Sequence, residues 1–208
     1  MAVRVWIVGT SHITRLRSYV DDNPWDFKNS PGFDEVYTER SGGTIEHLKS
    51  KVKAREPVVG QGFVSCFIQG GGNDISNKTA DMQGNLEDIS QEIAERLWSL
   101  ATECAKHMGP NGKVLVGKLI HRTPSMKYPK GIQTEQHARR HNLVTDRVNV
   151  LLNSKSTDNI IYYRTRGVEQ SIAEKLADGV HFKHSFMRVY RDSVMDGLFL
   201  GIGRAMHS

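Results

Sequence analysis

Short apolar runs alternate along this chain with stretches of three- and four-residue periodicity. That alternation restricts the fold more than any other feature. Val3 to Val8, Glu35 to Thr38, Gly62 to Gln69, Gly112 to Ile120 and Asn159 to Thr165 read as strands. Helical spacing follows Ser11 to Tyr19, and again Ile45, Leu48 and Val52, which stop before Pro57. The clearest stripe is Leu86, Ile89, Ile93, Leu97, Leu100 and Cys104, with Gly109-Pro110 expected to end it. Thr134 to Leu152 predicts a second long helix, and Val168 to Ala177 a short one. Phe186, Val189, Tyr190 and Val194 form the inward face of a closing helix. Strands joined through helices pair in parallel, with right-handed crossovers and both sheet faces covered. At 208 residues the reading is one α/β domain spanning 1–208.

Composition removes several classes. With 38% hydrophobic and 25% charged residues the chain reads as globular. No apolar run reaches the length of a membrane span. Met1-Ala2 leads straight into the first strand without a signal-peptide pattern, so the expected location is cytoplasmic. Cys66 and Cys104 both fall on apolar stripes and are expected as small core residues, consistent with a reducing compartment. The first strand is not followed by Gly-x-Gly-x-x-Gly. Neither Gly112-Lys113 nor Gly117-Lys118 precedes Ser or Thr, which argues against dinucleotide and P-loop sites. Residue 13 is Ile, so the Gly-x-Ser-x-Gly elbow is absent.

Polar clusters gather where strands end. Ser11 follows the first strand at an expected N-cap position, where helix N–H groups favour negative charge. Gly42-Gly43 follows the second strand, and Gly72-Asn73 the third. Asp178 and His181, three residues apart, sit in the last loop. Acyl transfer by a serine needs a nucleophile, an imidazole base, a carboxylate that fixes its tautomer, and N–H donors for the oxyanion. Read singly, these residues are a helix cap, turn residues and a loop histidine; their joint placement favours the chemistry.

These clusters resemble the four blocks of the SGNH (GDSL-like) hydrolase superfamily, in order and along nearly the whole chain. They are Gly9-Thr10-Ser11, Ser41-Gly42-Gly43-Thr44, Gly71-Gly72-Asn73-Asp74 and Asp178-Gly179-Val180-His181. The family usually has Asp where Thr10 stands, a residue that mainly supports the turn around the serine. The resemblance implies Ser11 as nucleophile, His181 as base and then acid, and Asp178 as orienting carboxylate. It implies oxyanion donors at the Ser11 and Gly42 N–H groups and the Asn73 amide, with Gly43 as the alternative glycine. It further implies a three-layer, flavodoxin-like doubly wound sheet of order 2-1-3-4-5, an ester substrate, and neither metal nor cofactor. The chain is most similar in style to divergent members such as esterase-like domains of retroelements.

The runner-up is a binding module on the same fold. From Lys113 to Arg147 eight Lys/Arg face two acids, a local +6 against +5 for the whole chain. Such a segment suits RNA, DNA or an anionic lipid surface, or is merely a solvated basic face. His137 and His141 stand at i, i+4 on a helix with Arg139-Arg140 between them, which disfavours a metal and predicts a solvated face. The ester, the acyl length and the oligomeric state are open; Asp21–Phe33 and His121–Gln133 are the loops expected to set specificity.

Overall fold

The computed structural model describes residues 3–23, 33–55, 62–125, 132–168 and 172–207. Five parallel strands lie in the order β2-β1-β3-β4-β5. They are β1 (Val3–Gly9), β2 (Phe33–Glu39), β3 (Phe63–Gln69), β4 (Met108–Gly117) and β5 (Ile160–Tyr163). The helices are α1 (Ser11–Asp22), α2 (Ile45–Lys53), α3 (Gly72–Thr79), α4 (Leu86–Ala105), α5 (Glu135–Ser154), α6 (Ile172–Lys175) and α7 (His184–Met206). This is the doubly wound α/β sheet that the alternation predicts.

The two faces of β1 show how the layers form. Successive side chains of a strand point to opposite faces. Trp6 and Val8 therefore pack with residues of α2, α4 and α5, such as Leu48, Leu97 and Val148. Val5 and Ile7 pack with α1 and α7, including Leu16, Tyr190 and Leu198. Cys66 and Cys104 are buried and free, as expected, and burial pushes the Cys66 thiol up.

Three elements differ from the sequence reading. The strand β4 starts at Met108, so Gly109 and Pro110 lie inside it rather than ending a helix. Met108 pairs with Phe63 and Lys113 with Ser65, so residues 109–112 bulge between them, and a bulge tolerates a residue without an N–H. Helix α3 was hidden by its own composition: it opens on the last of three glycines, and Asn73, Asp74, Ser76 and Asn77 give no apolar stripe. Helix α7 runs 23 residues, burying Met187, Tyr190, Val194 and Leu198 while leaving Val189 42% exposed. Helix α2 ends at Lys53, before Pro57 as expected, and most of the Asp21–Phe33 loop falls outside the described residues.

Candidate active site

The carboxyl ends of the parallel strands meet at one edge of the sheet, and three helices begin there. Ser11 is the first residue of α1; the N-cap is Thr10, whose side chain makes no cap bond. Ser11 is thus not the cap that its position in the sequence suggests. Thr10 N–H donates to Gln69 O at 3.1 Å, and Arg40 N–H donates to Gly9 O at 3.0 Å. These bonds tie the turn to the neighbouring strands through backbone, so the turn is anchored with Thr10 in place of an acid. The Ser11 N–H is one of the first-turn donors that an α-helix leaves without an internal partner.

A cleft of about 390 Å³ opens above this edge, lined by Ser11, Gly42, Asn73, Arg122 and His181 among others. It brings residues of five distant segments together. The Gly43 N–H is used within its own turn, donating to Arg40 O at 3.0 Å, whereas Gly42 N–H has no acceptor among the described residues. Asn73 donates from Nδ2 to Gly43 O at 2.9 Å and accepts at Oδ1 from Arg122 Nη2 at 2.9 Å. A guanidinium only donates, so Arg122 forces Oδ1 towards itself and sets the amide orientation. Nδ2 keeps a second N–H for the cleft. Gly72 makes room for this contact, since a Cβ there would meet Arg122 Nη2 at 2.7 Å. The next residue, Asp74, accepts from Ile45 N–H at 3.0 Å. It holds the start of α2, and with it the Gly42 turn, against α3. Burial raises the Asp74 carboxyl above its ordinary value.

On the other wall Asp178 Oδ2 lies 2.9 Å from His181 Nδ1, an imidazole–carboxylate pair that leaves Nε2 for another partner. Oδ1 of Asp178 also accepts from Val180 N–H at 3.1 Å and His181 N–H at 2.8 Å. Burial alone would raise this carboxyl; the His181 N–H, the His181 ring and the Val180 N–H outweigh it and hold the pKa at about 2. Burial lowers His181, and the Arg15 and Arg122 charges add to that, while the Asp178 carboxylate opposes. The turn itself is built on Gly179, at φ +76° and so close to Thr123 O that a Cβ would lie 2.4 Å from it. His12, next to Ser11, is buried against Phe182 and Tyr190. Burial, then the charges of His181, Arg122 and Arg15, hold it neutral with a pKa of about 3.

Arg122 is the residue that sequence reasoning missed. It was legible only as one charge in a basic run, although it follows the end of β4 as the other site residues follow β1, β2 and β3. The structure disperses that run. Lys113 is 4% exposed and Arg122 7%. Arg140 donates to Gln83 O and to Gly84 O, and Arg147 pairs with Glu87 at 3.4 Å. Lys127 and Lys130 lie outside the described residues. The two helix histidines also differ from expectation. His141 is fully buried and His137 is 9% exposed. They share the inward face with Val144 and Val148, at the i, i+4, i+7, i+11 spacing that the intervening arginines obscured. His141 Nε2 lies 3.3 Å from Gly72 O and His137 Nε2 3.1 Å from Thr79 Oγ1, so both seat α3. Among the described residues no cluster of three or more His, Cys, Asp or Glu could hold a metal ion.

No protein-family model matches the chain, and neither does any curated protein sequence. Solved structures do. An extracellular lipase from Streptomyces rimosus superposes with a TM-score of 0.61 at 15% identity, covering 95% of this chain and 100% of that one. An acetylxylan esterase from Geobacillus stearothermophilus gives 0.59 at 14% identity, over 94% of both chains. A GDSL-like lipase from Bacteroides thetaiotaomicron gives 0.58 at 15% identity, over 95% of this chain and 85% of that one. At these identities the likeness concerns the fold. The chain shares its fold with these lipases and this esterase, one of the lipases being GDSL-like.

Proposed function

We propose that this protein is a serine ester hydrolase working through an acyl-serine intermediate. The observation that carries the reading is the Asp178–His181 pair at the cleft that Ser11 lines, together with Asn73 and the Gly42 N–H, which has no acceptor among the described residues. Ser11 Oγ attacks the ester carbonyl while His181 Nε2 takes its proton. Asp178 holds Nδ1–H and stabilises the imidazolium that forms. The negative oxygen of the tetrahedral intermediate sits among Ser11 N–H, Gly42 N–H and Asn73 Nδ2. Collapse expels the alcohol, protonated by His181. Water activated by the same ring then releases the acid and restores Ser11. The N-termini of α1 and α3 add their dipoles at the same place.

Two measurements test the assignment. Asn73→Ala is expected to lower kcat for 4-nitrophenyl acetate by about 10²- to 10³-fold, with a smaller change in KM, since the bond forms mainly in the transition state. An unchanged kcat would remove Asn73 from the oxyanion site. The second is the pH profile. Neutral His181 is the active base, and its folded pKa lies below the ordinary 6.5. The acid limb of kcat/KM is therefore expected to have its midpoint below pH 6.5, whereas a midpoint above that value would contradict the assignment.

A further inference from the structure

We infer that the cleft takes esters whose alcohol part carries a negative charge, with the Arg15 guanidinium as its contact and the buried Arg122 charge supporting it. This rests on the serine-hydrolase reading and names its substrate class. Arg122 is 7% exposed, yet its hydrogen bonds among the described residues go to the neutral groups Asn73 and Ser76. It enters no ion pair among the described residues, although buried guanidinium groups are ordinarily matched by a carboxylate. The described lining of the cleft includes Ser11, Arg15, Asn73, Arg122, Val180 and His181. It carries two arginines and no acid, and Val180 is its one aliphatic side chain. Asp178 stands behind His181, hydrogen-bonded to its ring. Arg15 pairs with Asp178 at 3.7 Å, so the two arginines and that single carboxylate leave the walls with a net positive charge.

Geometry also says which end of the ester bears the charge. The leaving oxygen must lie beside His181, which protonates it as the scissile C–O bond breaks; water later supplies the oxygen of the released acid. Arg15 lies one turn after Ser11 on α1, and its Nη2 is 3.7 Å from Asp178 Oδ2, the partner of His181. Its guanidinium therefore borders the alcohol side. Its side chain is 42% exposed and within reach of a bound anion. Arg122 borders the carbonyl side, behind Asn73.

The test compares three acetates of matched shape: 4-acetoxybenzoate, 4-acetoxyphenyl phosphate and the neutral 4-acetoxybenzamide. At least one anionic ester is expected to show a kcat/KM about tenfold or more above the neutral one, a ratio that shrinks as salt rises. Which anion is preferred separates a carboxylated alcohol from a phosphorylated one. Arg15→Gln is expected to bring the ratio towards one. Equal rates on all three esters, with hydrolysis still dependent on Ser11, would overturn the charge proposal while leaving the hydrolase reading intact. If hydrolysis is independent of Ser11, calorimetric binding of the matching uncleaved ethers, 4-methoxybenzoate, 4-methoxyphenyl phosphate and the neutral 4-methoxybenzamide, to Ser11→Ala protein decides separately. Tighter binding of an anion, lost in the added Arg15→Gln change, supports the charged cleft; equal binding rejects it.

Discussion

Ser11→Ala is expected to reduce kcat/KM for 4-nitrophenyl acetate at least about a thousandfold while leaving the protein folded. The loss follows from the chemistry: without Oγ there is no acyl intermediate, and what remains is the polarisation supplied by the oxyanion donors. The structural cost is small because the N-cap of α1 is Thr10 and the Ser11 hydroxyl caps no helix N–H. Ser11 is buried, and stability is expected to change by no more than about 1 kcal/mol, since the substitution breaks no cap. A fluorophosphonate probe should label the wild-type protein at Ser11 and leave the mutant unlabelled. Hydrolysis by the mutant at the wild-type rate, or a probe attached elsewhere, would overturn the nucleophile assignment. The acyl series from acetate to long chains, run on the same pair, measures chain-length preference with the serine dependence controlled.

Much of the frame was legible because its signals are local. Periodicity placed α4 and α5, and the apolar runs placed β1 and β3, since burial on both faces leaves little choice of residue. The four polar blocks were legible for a related reason: the ends of parallel strands are where a doubly wound sheet can present groups to a ligand. What the sequence hid is relational. Arg122 looks like any cation in a basic run until Asn73 Oδ1 and Ser76 Oγ are found within hydrogen-bond reach of it. His137 and His141 looked solvated because Arg139 and Arg140 lie between them, yet those arginines point away on the same helix. Asp74 reads as a turn residue, and only the fold shows it receiving the Ile45 N–H. Helix α3 escaped because Ile75 is the one apolar residue among its buried positions, the others being Asp74, Ser76 and Thr79, which are buried through hydrogen bonds.

Asp178→Asn is expected to lower kcat by about 10⁴-fold, and its effect on stability has a pH signature that separates it from simple unfolding. An amide at this position can present N–H to His181 Nδ1, which turns the ring tautomer so that Nε2 carries the proton and cannot accept one from Ser11. The backbone bonds survive in part, because the amide oxygen still accepts from Val180 and His181 N–H. In the wild type the folded pKa of Asp178 is about 2 against an ordinary 3.8. A depressed carboxylate pKa stabilises the fold above the unfolded value, and that stabilisation is lost as pH falls through the folded one. Its size is about 2 kcal/mol. The stability gap between wild type and Asp178→Asn is therefore expected to be largest above about pH 4 and to close towards about pH 2. Denaturant titrations of the two proteins at pH 7 and pH 3 measure it directly. A gap that stays constant across that range would show that Asp178 is not held ionised by the His181 turn.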